Sequence, residues 1–198
     1  MAALCGAGLL SGCNSMGTTA QAQSAMRMDP AGMEAMLASW PEASRMAAMD
    51  MMRKYGSPQG VTASMLIWEN NGPWKWTRIF REPVQHNFPM PHPDVLEQAI
   101  NYQVPVDRYD DLARYDGSVI AERTKGQLSA RCDKEGANFL AINLANDVAT
   151  GRRTVEDARA YYARAMQAFK QTNRMDPYMQ RLQFQPPARA GEPDRAVI

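Results

Sequence analysis

Apolar residues recur along this chain with two different periods, and the helical one is plainest near the C-terminal end. Leu140, Leu144 and Val148 return every four positions, flanked by Phe139 and Ile142, as expected of a helix that buries one face. Asp133 stands where it can cap that helix and Gly151 where it can end it. Thr154 and Asp157 have a capping-box-like spacing and open a second helix. That helix presents Val155, Ala158, Tyr162, Ala165, Met166 and Phe169 on one side. So short a turn between the two predicts an antiparallel αα-hairpin. Earlier in the chain, "SWPEASRMAAMDMMRKYGSP" predicts a helix capped by Ser39, with Pro41 in its first turn and Gly56 just beyond its end. Ala43, Met46, Met49 and Met52 form its expected buried stripe.

The strand signals differ in kind. Residues 64–81, "SMLIWENNGPWKWTRIFR", read as a β-hairpin: Asn70, Asn71, Gly72 and Pro73 supply the turn between aromatic and β-branched flanks. A second hairpin is expected in "SVIAER", a Thr-Lys-Gly turn, and "QLSARC", with its core face left open by the alternation. Between the hairpins a helix is expected over 94–101, then a strand-like "YQV", then a short helix over 107–115 closed by Asp116 and Gly117. The expected fold class is α+β: antiparallel β-hairpins covered by helices, ending in the αα-hairpin, within one domain over 39–178. The small polar residues before that domain read as a flexible tether, and the Pro, Gly and charge content of 179–198 reads as a disordered tail.

Composition narrows the functional classes. A chain of 198 residues fits one domain plus tails, and Lys+Arg 22 against Asp+Glu 21 offers no footprint for nucleic acid. The first residues, "MAALCGAGLLSGCNS", place a short apolar run before Leu10, Ser11, Gly12 and Cys13. This order resembles the lipobox of bacterial lipoprotein precursors. The resemblance implies a signal peptide over 1–12, a lipidated Cys13 as the mature N-terminus, and a tether over 13–38. It also implies attachment to a membrane through acyl chains, at the cell envelope. With Asn14 rather than Asp after the cysteine, it points to the outer membrane, facing the periplasm, in a source with two membranes. No Lys or Arg precedes the apolar run, so a start upstream of Met1 is expected. Residues 42–81 are similar to small outer-membrane assembly lipoproteins of the small-protein-A type, through Gly56, Pro58, Trp68 and Trp74.

Candidate chemistry is sparse. The chain's two histidines lie in "HNFPMPH", where His86, Met90 and His92 offer imidazole and thioether donors suited to copper. Pro89, Pro91 and Pro93 favour an extended chain, which would hold the two imidazoles on the order of 20 Å apart, so a stiff connector is expected there. Methionine is abundant, at 15 residues, and its spacing resembles the Met motifs of periplasmic copper and silver handlers. Trp68, Trp74 and Trp76 form a candidate surface for a wall polymer or another envelope protein. Once Cys5 is removed and Cys13 acylated, Cys132 stands alone and is expected to be buried and unreactive. With no phosphate loop, nucleophile elbow or zinc spacing, no enzymatic activity and no cofactor are expected. The reading is thus a lipid-anchored, non-catalytic envelope module, with soft-metal binding by the Met-rich segments and His86, Met90 and His92 as the alternative.

Overall fold

The chain builds a sheet from β1 (Gly60–Val61), β2 (Met65–Asn71), β3 (Trp74–His86), β4 (His92–Asn101), β5 (Val119–Glu122) and β6 (Gln127–Cys132). A computed structural model describes residues 29–198. The six strands lie in the order β1-β2-β3-β4-β6-β5, and every neighbouring pair is antiparallel. Side chains alternate between faces, so residues aligned across strands share one. Leu66, Ile79, Leu96 and Cys132 make one such row, and Trp68, Thr77, Gln98, Ala130 and Val119 make the next.

Helices cover that face. Those before α3 are α1 (Pro30–Ala38) and α2 (Glu42–Tyr55); after a 3-10 turn at Val106–Arg108 come α3 (Tyr109–Tyr115), α4 (Glu135–Ala149), α5 (Val155–Thr172) and α6 (Pro177–Gln180). Met33, Leu37, Ala47, Ala48 and Met51 of α1 and α2 pack on Leu66, Trp68, Ile79 and Leu96. Leu140, Leu144 and Val148 of α4 join Ile100, Leu128 and Ala130 in a second cluster that also takes in Tyr115, Ala158 and Tyr162. The α+β expectation, with antiparallel hairpins under helices and a C-terminal helical pair, holds. Thr154 caps α5 by accepting from the Asp157 N–H at 3.1 Å, as its spacing predicts. On the other face the guanidinium of Arg78 lies 4.0 Å from the centre of the Trp76 ring, and that of Arg131 5.9 Å from the centre of Phe80.

Several local expectations are corrected. Residues 94–101 are not helical: they belong to β4, the central strand between β3 and β6. Val95, Leu96, Ala99 and Ile100 are all buried because this strand is covered on both faces, and such a run mimics a helical stripe. The strand ends at Asn101, so "YQV" lies outside it. In α2 the buried side is Ser44, Ala47, Ala48 and Met51, while Met46 and Met49 are 57% and 51% exposed. Small residues let this helix sit close to the sheet, where Ser44 Oγ donates to the Arg81 carbonyl at 2.8 Å. Ser39 closes α1 instead of opening α2, which begins after Pro41. Asp133 makes no cap bond to α4; Lys134 occupies that position.

The tether and the tail are also shorter than expected. Residues 30–38 form α1, capped by Asp29 and started by Pro30, with Met33 and Leu37 buried. Beyond Tyr178 the chain lies against the domain. Met179 is buried and Phe184 meets Tyr102 edge-on at 5.7 Å. Buried Asn143 of α4 donates to the carbonyls of Tyr178 and Arg181 and accepts from the Gln183 N–H at 2.7 Å. Composition suggested disorder because this strap is held by backbone groups that need no particular residue type.

Farther along, Asn101 donates to the Ala188 carbonyl at 2.9 Å, and Arg123 pairs with Glu192 and Asp194. Gly126, at φ 62°, permits the closest approach: a Cβ there would stand 2.0 Å from the Ala190 carbonyl carbon. Gly126→Ala is therefore expected to lift the strap from the β5–β6 turn, adding about 1–2 kcal/mol of backbone strain. Trypsin should then cut at Arg189 and Arg195 sooner than in wild type while the remainder stays folded. Unchanged cleavage would show that the strap is not held there.

Glu135 ties the two helical clusters together. Its Oε1 accepts from Trp74 Nε1–H at 2.7 Å and from Gln98 Nε2–H at 3.3 Å. The Tyr55 hydroxyl donates to the same oxygen, and Lys54 pairs with Oε2. Burial, followed by the hydrogen bond to Glu135 and its charge, pushes the Tyr55 phenol well above its usual range.

Candidate metal centre

The five residues 87–91, prolines included, turn the chain back on itself. In the resulting register Val84 faces Asp94, Gln85 faces Pro93 and His86 faces His92. Directly opposed residues share a face, and Asp94, two positions beyond His92, shares it too. The expectation of an extended connector with distant histidines is thus overturned: the imidazole centres are 5.0 Å apart. The prolines accommodate a hairpin loop because none of these five positions has to donate to the ladder.

Donor atoms of His86, His92 and Asp94 all lie within 4.8 Å of one another. Asp94 is 1% exposed, and both imidazoles are largely buried. Its Oδ2 accepts from the Ser118 hydroxyl and lies 3.5 Å from His86 Nδ1. Its Oδ1 lies 3.2 Å from His92 Nε2, and Arg131 Nε lies 3.9 Å from its Oδ2. No protein-family model matches the chain, and neither a curated protein nor a solved structure shows significant similarity to it. Chemistry at this corner has to be read from its atoms.

Hydrogen bonds around the rings select which nitrogen is free. His92 Nδ1 lies 2.8 Å from the Met90 carbonyl, which can only accept, so Nδ1 carries a proton and Nε2 faces Asp94. His86 Nε2 is 3.6 Å from Oδ1 of the buried Asp116, beyond hydrogen-bond reach, while its Nδ1 lies 3.4 Å from Ser118 Oγ and 3.5 Å from Asp94 Oδ2. Asp116 is fixed by the Ser118 N–H at 2.8 Å. A carbonyl behind one ring and a carboxylate behind the other is the outer arrangement that orients metal-binding histidines. Without a metal, burial opposes charge on His92, but the Asp94 carboxylate, the Cys132 sulfur and the Met90 carbonyl outweigh it and its pKa is pushed up to about 11. Burial raises Asp116, against the Ser118 N–H and the charge of His86, which lower it.

Cys132 closes β6 beside this group. It is buried, and its Sγ lies 3.3 Å from His92 Nε2 and 3.5 Å from Asp133 Oδ1. Burial pushes its thiol upward, against the contact with His92. A cavity of about 290 Å3 adjoins this corner, lined in part by Met90, His92, Cys132, Tyr162 and Met166.

The other candidates fare differently. Met90 serves the cluster through its carbonyl, and Asp94, which the sequence reading placed in a helix, supplies the third donor. Among the described methionines, Met33 and Met51 are core residues and Met46 and Met49 are exposed, while Met33, Met49 and Met52 line one cavity between α1 and α2. Trp68, Trp74 and Trp76 do not form an exposed surface, because all three are buried. Trp68 donates to the Gly56 carbonyl at 2.9 Å, Trp74 stacks on Phe139, and Trp76 donates to Gln127 at 3.2 Å. Cys13 and the residues that resemble a lipobox lie outside the described residues. Among the described residues no helix is long and apolar enough to cross a membrane.

Proposed function

We propose that this domain binds one first-row transition-metal ion through His86, His92 and Asp94, and that it does so as a lipid-anchored protein of the bacterial cell envelope. The observation that carries the metal reading is the convergence of His86, His92 and the buried Asp94, whose donor atoms lie within 4.8 Å of one another. Without a metal the protonated His92 ring balances the Asp94 carboxylate, and a bound cation would take the place of that proton. Two imidazoles and a carboxylate suit Zn2+, Cu2+ or Ni2+ better than Mg2+ or Ca2+. This replaces the thioether set of the copper alternative with a harder one. The anchoring half of the reading is supported by the Leu-Ser-Gly-Cys order before a polar stretch, and two or more acyl chains are what stable attachment needs.

Equilibrium dialysis with Zn2+ tests the metal reading. Wild type should retain one ion, His92→Ala should lose it, and Asp116→Asn should bind about 10-fold more weakly because the negative charge behind His86 is removed. An ion supplied at 100 times its Kd should stabilise the fold by about 2.7 kcal/mol, readable as a thermal shift. Equal retention by wild type and His92→Ala, or no retention by either, would reject the site. Anchoring is tested by intact mass and membrane fractionation of wild type against Cys13→Ala, produced from the native reading frame. Wild-type protein that is unacylated and stays in the soluble fraction would reject it.

A further inference from the structure

We infer that Cys132 is the fourth ligand of this centre, making it a two-histidine, one-carboxylate, one-thiolate site for zinc and similarly thiophilic divalent ions. The inference rests on the metal reading above and extends it to the one sulfur that touches the cluster. Three features carry it. The first is position: Cys132 faces Leu96 across β4 and β6, so its side chain leaves the sheet on the same face as Asp94 and His92. The second is distance. In a tetrahedral centre with bonds of about 2.0 Å to nitrogen or oxygen and about 2.3 Å to sulfur, neighbouring donors stand roughly 3.3 Å (N and O) and 3.5 Å (N and S) apart. Here His92 Nε2 is 3.2 Å from Asp94 Oδ1 and 3.3 Å from Cys132 Sγ; the sulfur stands outside the group of donors that lie within 4.8 Å of one another, so it has to swing toward the ion on binding.

The third is room. Cys132 and His92 both line the cavity of about 290 Å3 next to the centre, so the sulfur has open space on one side and is not closely packed all round. A cysteine kept only as a small apolar filler needs no contact with a ring nitrogen. This one approaches the same nitrogen that Asp94 Oδ1 approaches. Binding would form a metal–sulfur bond and release to solvent the thiol proton and the proton on His92 Nε2, with no change in oxidation state. A thiolate in the set favours Zn2+, Co2+ and Cd2+ over Mg2+, Ca2+ and Mn2+, which prefer all-oxygen shells.

Cobalt substitution of the full chain tests this, with Cys5→Ser and Cys13→Ser in every protein compared so that only Cys132 can supply a thiolate. The expected result is the near-ultraviolet thiolate-to-cobalt absorption band in the parent, absent from Cys132→Ser, with at least a tenfold loss of Zn2+ retention against a chelator. Cobalt bound with the need for His92 and Asp94 but without the band would overturn the Cys132 assignment and leave the three-ligand site standing. Failure to bind Co2+ or Zn2+ at all would reject both. Should Cys132→Ser not fold, the 113Cd resonance of the parent protein reports sulfur ligation directly. A shift in the range of nitrogen and oxygen ligands alone would overturn the assignment.

Discussion

Replacing Glu135 with alanine is expected to lower the stability of the fold by about 3–5 kcal/mol, the usual cost of removing one member of a buried charged network. The carboxylate is the acceptor for the indole N–H of buried Trp74 and for the Gln98 amide and Tyr55 hydroxyl. Without it those donors stay buried and unpaired, at about 1–3 kcal/mol each where nothing can rearrange to meet them. Lys54 contributes far less, because half of its side chain is in water, and Lys54→Ala is expected to cost under about 1 kcal/mol. Urea unfolding of the two variants separates the contributions. Equal losses would mean that the surface pair, and not the buried acceptor, joins α2 to α4.

Trp68→Ala should have an effect of similar size, about 3–5 kcal/mol, for a different reason. The ring is fully buried beneath the helices and leaves a cavity when truncated. Trp68→Phe keeps most of the volume but strands the Gly56 carbonyl that the indole N–H serves, so a smaller loss of about 1–3 kcal/mol is expected. Thermal and chemical unfolding measure both. Because the side chain is out of reach of solvent, Trp68→Phe should leave any binding to wall polysaccharide unchanged. Loss of such binding in a folded Trp68→Phe protein would restore the tryptophan surface that burial argues against.

What could be read from the sequence depended on how each element buries its side chains. Both hairpins with turn residues between β-rich flanks were legible, as were α4 and α5, because each repeats an apolar residue at one period over enough length. Strand β4 was not: buried on both faces, Val95, Leu96, Ala99 and Ile100 lose the alternation that marks a half-buried strand. That loss of alternation conceals the site. A helix over 94–101 leaves His92 without a partner strand and turns Asp94 away from it, and the prolines then favour distance between the imidazoles. One cue was available: two histidines flanking a five-residue, proline-rich loop, with an acidic residue two positions past the second. In a hairpin that spacing puts all three on one face. Helix α1 also announced itself, through Asp29 and Pro30, but the small polar residues before it masked the cue.

Helix α4 is buried along its whole length, from Glu135 to Ala149, with no solvent-facing side. Sheet residues lie on one side of it, and side chains of α3, α5 and α6 share its core cluster. A helix with an open face can fray while its neighbours stay in place; this one cannot expose its backbone until several elements have parted. Its amide protons should therefore exchange with deuterium only when the whole domain opens, and more slowly than those of α1 at the edge. Their exchange rate then serves as a built-in gauge of global stability, against which an ion bound beside the N-terminal end of this helix can be weighed without any probe attached to the site.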